Sequence, residues 1–102
     1  MIVQFRKLNE SEVKWGYINL MDNVSYPQKT YFHNDIRSTG YVTVEDVAGR
    51  HYFGLCYLKV TGLTAFHRQN ENHAGKILRI EFHPDILIDG RPLLRIVPFG
   101  ND

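Results

Sequence analysis

Apolar and aromatic residues in this chain come in short runs rich in Val, Ile, Tyr and Phe, and Gly, Pro, Asn and Asp interrupt them. Such punctuation is typical of β-strands joined by turns, whereas an amphipathic helix repeats its apolar residues about every 3.6 positions. A chain of 102 residues has room for one core of ordinary domain size. The sequence therefore predicts one all-β domain, with strands over residues 2–8, 13–20, 29–33, 51–61 and 76–83.

Two apolar segments near the C-terminus, Ile86-Leu87-Ile88 and residues 93–97, flank the pair Asp89-Gly90. Asp-Gly is favoured in two-residue hairpin turns because both central positions need a positive φ. Pro92 would lie at the start or the edge of its strand, where its missing N–H does least harm. We expect a final hairpin whose apolar side chains pack on the rest of the domain or on a partner chain.

Side-chain alternation in the second and third predicted strands places four rings on a common face: Trp15, Tyr17, Tyr31 and His33. Ile18, Leu20 and Phe32 would then point inward, and Gly16 would allow the strong curvature that a small barrel needs. Exposed rings predict a platform on which unpaired nucleic-acid bases stack. If the C-terminal segment covers the rings, they form a second small core instead.

These same residues resemble the motifs of cold-shock domains. Trp15-Gly16-Tyr17-Ile18 resembles the last four positions of the family's Lys-Gly-Phe-Gly-Phe-Ile motif, and Thr30-Tyr31-Phe32-His33 resembles the first four of Val-Phe-Val-His-Phe. The resemblance covers residues 1–36 and implies a barrel of the oligonucleotide-binding (OB) class with these rings toward the nucleic acid. We therefore expect an all-β, small five-stranded OB-type barrel over residues 1–84, with a C-terminal β-hairpin extension over 85–102.

The charge balance of the chain limits how it would hold a nucleic acid. Twelve basic against eleven acidic residues give a formal charge of +1, which lacks the basic excess of proteins that bind duplex DNA mainly through phosphates. We expect single-stranded RNA or DNA to be bound without catalysis, largely by stacking. The cations expected near the phosphates are Lys7, Lys14, Lys29 and Arg68, the last in a predicted polar loop over residues 67–73.

Two other functions stay open from the sequence. A protein-interaction or dimerisation module would use the same aromatic face and the C-terminal hairpin, and a homodimer through that hairpin is one form of it. A small endoribonuclease of the toxin type would need a few Arg, His and Asp groups gathered by the fold, and no spacing in the chain singles out such a set.

Cysteine and histidine usage argues against a metal or another cofactor. Cys56 is the single cysteine, so the chain has no internal disulfide, and between Leu55 and Tyr57 it is expected to be a core thiol. The five histidines lack the spacing of a zinc module and are expected to be solvated. No apolar run approaches the ~20 residues that cross a bilayer, and no signal sequence follows Met1. We expect a cytoplasmic protein with no membrane partner.

Overall fold

The computed structural model describes residues 2–20 and 39–101. Its elements are β1 (Ile2–Lys7), α1 (Glu10–Trp15), β2 (Tyr17–Asn19), β3 (Gly40–Glu45), β4 (His51–Tyr57), β5 (Lys59–Thr61), α2 (Thr64–Gln69), β6 (Lys76–Ile88) and β7 (Arg91–Asn101). The chain is mostly sheet, and the strands form a nearly closed barrel. The predicted all-β barrel class is thus confirmed, while the predicted strand 29–33 lies outside the described residues.

The described strands form one sheet of seven, in the order β1-β6-β7-β3-β4-β5-β2, where a barrel of five strands and a hairpin extension were predicted. The predicted strand 51–61 is two strands, because the chain reverses at Leu58, whose φ is 61°. Neighbouring strands run antiparallel except β3 and β7, which pair in parallel. Since β6 and β7 lie between β1 and β3, the C-terminal hairpin is an integral part of the sheet, and the expected boundary at residue 84 falls inside β6.

The turn of the C-terminal hairpin is as predicted. Ile88 pairs with Arg91, so Asp89 and Gly90 form a two-residue connection. Their φ values of 55° and 78° are both positive, which is the conformation that favours Asp-Gly at these positions.

The prediction of one strand over residues 13–20 is wrong in its first half, because α1 extends to Trp15. Asn9 caps this helix with its side chain, and Glu12 returns a hydrogen bond to the backbone of Asn9, which completes a capping box. Gly16, with φ 71°, ends the helix in the left-handed conformation, and Tyr17 then begins β2. Trp15 and Tyr17 therefore do not alternate along a common strand.

The predicted loop over residues 67–73 is also wrong in part, because α2 includes its first three residues. Leu63 and Phe66 bury their side chains in the barrel core, and this contact holds one side of the short helix against the core. His67 is buried as well, against the expectation of solvated histidines. Its Nε2–H donates to the carbonyl of Tyr17 at 3.0 Å, and its Nδ1 accepts from the amide of Asn72 at 2.8 Å.

A buried carboxylate bridges the two edge strands of the sheet, β1 and β2. The carboxylate of Glu12 accepts from the guanidinium of Arg6 on β1, with Nη2 to Oε1 at 2.8 Å and Nε to Oε2 at 3.0 Å. It also accepts from the backbone N–H of Asn19 on β2 at 2.8 Å and from that of Asn9 at 2.9 Å. One fully buried side chain thus joins both sides of the gap that the sheet leaves open.

Candidate functional site

The outer surface of β3, β4, β5 and β2 carries four of the nine large hydrophobic side chains that are exposed among the described residues. Val42, Val44 and Cys56 point into the core, so the residues that alternate with them point outward. The strand register then continues this outward face over all four strands, since paired residues share a face. We call its main members the aromatic face: Tyr17, Tyr41, Phe53, Leu55, Tyr57 and Lys59.

The register arranges the aromatic face in rows across the strands. Tyr41 pairs with Leu55, Leu55 with Thr61, and Thr61 with Tyr17, which makes one row across β3, β4, β5 and β2. The next row contains Tyr57, Lys59 and Asn19. Paired residues in such rows lie about 5 Å apart, so the rings form one continuous surface.

Exposure of these side chains is high for their type. Tyr57 is 68% exposed, Tyr41 58% and Phe53 55%. Water contact costs about 25 cal/mol for each Å² of apolar surface, and a continuous exposed apolar patch marks an interaction site. The aromatic face is therefore the surface at which we place the candidate site.

Each end of the aromatic face combines a ring with a cation. The rings of Tyr41 and Phe53 lie 5.1 Å apart, and the guanidinium carbon of Arg91 lies 4.7 Å from the centre of the Phe53 ring. At the other end, Nζ of Lys59 lies 4.9 Å from the centre of the Tyr17 ring. These distances are those of cation–π contacts, which hold the two charges beside the rings.

The C-terminal hairpin holds one of these cations in place. The hydroxyl of Thr43 donates to the carbonyl of Ile88 at 2.8 Å and accepts from Nε of Arg91 at 3.1 Å. Because Thr43 is fully buried under this contact, the base of the hairpin turn is attached to the outer surface of β3. Arg91 is thereby oriented over Phe53.

A cleft of about 390 Å³ opens at the Lys59 end of the aromatic face. Its walls are formed by Tyr17, Asn19, Tyr57, Leu58 and Lys59. The two phenol rings can contact a flat polar ring, the amide can bond an exocyclic hydrogen-bonding group, and the ammonium group can contact an anion. The volume falls at the small end of the range of ligand pockets.

The structure brings only one of the predicted site residues into the aromatic face, namely Tyr17. Trp15 and Lys14 are exposed on α1, where Nζ of Lys14 lies 5.0 Å from the Trp15 ring. Lys7 lies on β1, which is separated from β2 by the gap in the nearly closed barrel, and Arg68 is exposed on α2. The remaining predicted residues lie outside the described part of the chain: Lys29, Tyr31 and His33.

Sequence reasoning missed Tyr41, Phe53 and Tyr57, although β4 carries a readable signal. Large residues alternate there with smaller ones, since Phe53, Leu55 and Tyr57 are separated by Gly54 and Cys56. The smaller residues face the crowded barrel interior, where a Cβ on Gly54 would lie 3.1 Å from Val60. Alternation of this kind assigns the large residues to the outer surface.

Two buried polar groups elsewhere act in the fold. Burial lowers the pKa of His67, and the neutral ring joins α2 to β2 through the Tyr17 carbonyl. Burial of Asp46 favours its neutral form, but hydrogen bonds from Arg50, Tyr52 and Asn70 outweigh that effect and hold its pKa well below the usual range. Both groups make their hydrogen bonds to neighbouring segments of the chain, so neither is a candidate for substrate chemistry.

Comparison with known proteins adds no family to this description: no protein-family model matches the sequence, and no curated protein is significantly similar to it. Within residues 2–20 and 39–101, no group of three or more His, Cys, Asp and Glu side chains is arranged to hold a metal ion. Neither helix in those ranges is long and apolar enough to span a membrane.

Proposed function

We propose that the aromatic face binds single-stranded RNA or DNA. The observation that supports this most directly is the pairing of a ring with a cation at both ends of the face, the exposed Phe53 with Arg91 and the half-buried Tyr17 with Lys59. Unpaired bases stack on such rings at ~1 to 3 kcal/mol per base, and adjacent cations neutralise the backbone phosphates. The cleft beside Tyr57 accepts one nucleotide of the bound strand.

The proposal predicts a weak dependence of affinity on salt. The aromatic face has two flanking cations, and the whole chain has a formal charge of only +1. For a single strand, log K falls with log salt at a slope of about 0.7 for each phosphate neutralised, so we expect a slope between about −1 and −2. Stacking therefore supplies most of the affinity.

A protein partner on the same surface is the competing function. Cores of protein–protein interfaces are depleted in Lys, because burying an ammonium group against apolar atoms removes its hydration. Lys59 lies in the last row of the aromatic face, directly beside Tyr57 and Asn19. Its position favours an anionic ligand that keeps the charge paired.

The test is fluorescence anisotropy of a labelled, pyrimidine-rich single strand of about eight nucleotides, since one OB-sized domain covers ~4 to 16. Tyr57→Ala should weaken binding about 5- to 150-fold, equivalent to ~1 to 3 kcal/mol, and leave the melting temperature nearly unchanged because the ring is 68% exposed. Phe99→Ala removes another exposed ring, which contacts Phe5 outside the aromatic face, and should leave affinity unchanged.

Three results would refute the proposal. The first is no change in anisotropy at high micromolar protein. The second is equal loss of affinity in Tyr57→Ala and Phe99→Ala. The third is a stable dimer in light scattering that Tyr57→Ala dissociates, which would assign the face to a second copy of the chain.

A further inference from the structure

The turn of the C-terminal hairpin adds a carboxylate to the Arg91 end of the aromatic face. Asp89 is the first residue of this two-residue turn, and its Oδ2 lies 3.8 Å from Nη2 of Arg91. The side chain of Asp89 is 73% exposed, and that of Arg91 is 28% exposed. Because the guanidinium of Arg91 contacts the Phe53 ring, an acceptor group and a donor group lie side by side next to the exposed rings.

Both groups keep hydrogen-bonding capacity for a ligand. A separation of 3.8 Å is too long for a hydrogen bond, so the ion pair leaves the carboxylate of Asp89 open. Arg91 donates from Nε to the hydroxyl of Thr43, and in the part of the chain that the structure describes its two Nη groups make no hydrogen bond. The carboxylate can therefore accept from two donors, while an Nη group donates to an acceptor.

The buried hydroxyl of Thr43 fixes the arrangement of these two groups. It donates to the carbonyl of Ile88, directly before the turn, at 2.8 Å and accepts from Nε of Arg91 at 3.1 Å. The turn that carries Asp89 and the guanidinium are thus both attached to β3. Groups that are held in place before a ligand arrives lose less conformational entropy when it binds, which favours a specific contact.

The hydrogen-bonding edge that matches this arrangement belongs to guanine. Its Watson–Crick edge presents two adjacent donors, N2–H and N1–H, beside the acceptor O6. A carboxylate accepts from the two donors, and a neighbouring guanidinium donates to O6. Adenine and cytosine offer one amino group beside an acceptor, and uracil offers one N–H between two acceptors. On each of these bases one carboxylate oxygen would have no donor.

We propose that Asp89 and Arg91 select guanine in the single strand bound on the aromatic face. This inference rests on the proposed function, and it deepens that function by naming the base recognised at one end of the face. The guanine stacks against the exposed rings of Tyr41 and Phe53, with its Watson–Crick edge toward the hairpin turn. Stacking tolerates every base, so the selection comes from the hydrogen bonds to Asp89 and Arg91.

Arg91 serves both this selection and the binding of the backbone. A guanidinium has five N–H donors, of which the Nε–H of Arg91 is held by Thr43. One Nη group donates to O6 of guanine, and the donors of the other remain for a phosphate. The guanine preference is therefore independent of the salt dependence expected for the face.

The experiment compares labelled eight-nucleotide pyrimidine strands that carry one central guanine, inosine or adenine, each as RNA and as DNA, by fluorescence anisotropy with the full chain. Inosine is the analogue of guanosine without the N2 amino group, so it loses one of the two donors to the carboxylate. The guanine strand should bind at least about fivefold more tightly than the other two, the lower end of the range for a bidentate base contact because Asp89 is exposed.

Asp89→Asn should remove the preference for guanine over inosine, because the NH2 group of the new amide meets a donor of guanine. The turn should form in this variant, since Asn-Gly is favoured in the same two-residue turn as Asp-Gly, and an unchanged melting temperature checks it. The matched control is Asp85→Asn, which removes an exposed carboxylate from β6 of the same hairpin and should keep the full preference.

The outcomes separate this inference from the proposed function. Equal affinity for the guanine, inosine and adenine strands overturns the selection of guanine and leaves the binding proposal standing. A guanine preference that persists in Asp89→Asn, or that disappears equally in Asp85→Asn, also overturns it, because the carboxylate of Asp89 is then not the group that recognises the base. Absence of binding to every strand overturns both.

Discussion

Removal of the Glu12 carboxylate should destabilise the barrel far more than any surface substitution. Glu12 is fully buried, and its partner Arg6 is 7% exposed, so Glu12→Ala removes from a largely dry site the carboxylate that Nε and Nη2 of Arg6 contact. Breaking a buried pair in this way costs about 3 to 5 kcal/mol. The backbone N–H groups of Asn9 and Asn19 also lose their acceptor, at about 1 kcal/mol each. The expected loss of about 5 to 7 kcal/mol is close to the whole stability of many domains.

Urea denaturation followed by circular dichroism measures this loss. Glu10→Ala removes an exposed carboxylate from the first turn of the same helix and should cost less than about 1 kcal/mol. Arg6→Ala combined with Glu12→Ala should lose less than the sum of the two single variants, because each single variant already breaks the contact between the two side chains. Equal stability of Glu12→Ala and Glu10→Ala, or additive losses in the double variant, would refute the bridging role of Glu12.

The remaining predictions concern buried groups and one glycine. Burial raises the pKa of the Cys56 thiol to about 11, so iodoacetamide should modify it at pH 8 only in urea; modification at equal rates in the native protein would contradict its burial. The pKa of Asp46 is lowered on folding, so its contribution to the free energy of unfolding is complete above the unfolded pKa of about 3.9 and is lost as the pH falls further. Asp46→Asn should therefore make the free energy of unfolding depend less steeply on pH below that value. Folding lowers the pKa of His67 too, so as the pH falls the ring is protonated in the unfolded chain before it is protonated in the folded one. The free energy of unfolding should therefore decrease as the pH drops below about 6.5. A free energy of unfolding that stays constant from pH 7 to 5 would argue against a buried neutral ring. Gly16→Ala would place a Cβ against the backbone of α2 at a residue with positive φ. It should lower the melting temperature more than Gly49→Ala does, because φ is also positive at Gly49 but the space around it is open. Calorimetry of the two variants measures this difference.

Local signals in the sequence were enough to predict the strand-rich class and the final hairpin. A two-residue turn needs positive φ at both positions, and Asp89-Gly90 meets that need without help from distant residues. The helix α1 also has a local signature, with Asn9 and Glu12 as a capping box and Gly16 as the C-terminal cap. Strand alternation of Trp15 and Tyr17 competes with that signature, and both the burial of Glu12 and the close packing of Gly16 against α2 favour the helix.

The strand order and the side-chain contacts on the outer surface depend on the pairing of distant segments. The parallel pairing of β3 with β7 joins residues about fifty positions apart, and it is what brings Glu45 beside Arg95. In the same way, the β2–β5 pairing sets Tyr17 beside Lys59. Periodicity reports which face of a strand is buried, but the partner of that strand is chosen by which arrangement buries the apolar faces of all seven together. The sequence alone therefore determined the all-β barrel class and the final hairpin, and the tertiary structure decided which rings and charges meet.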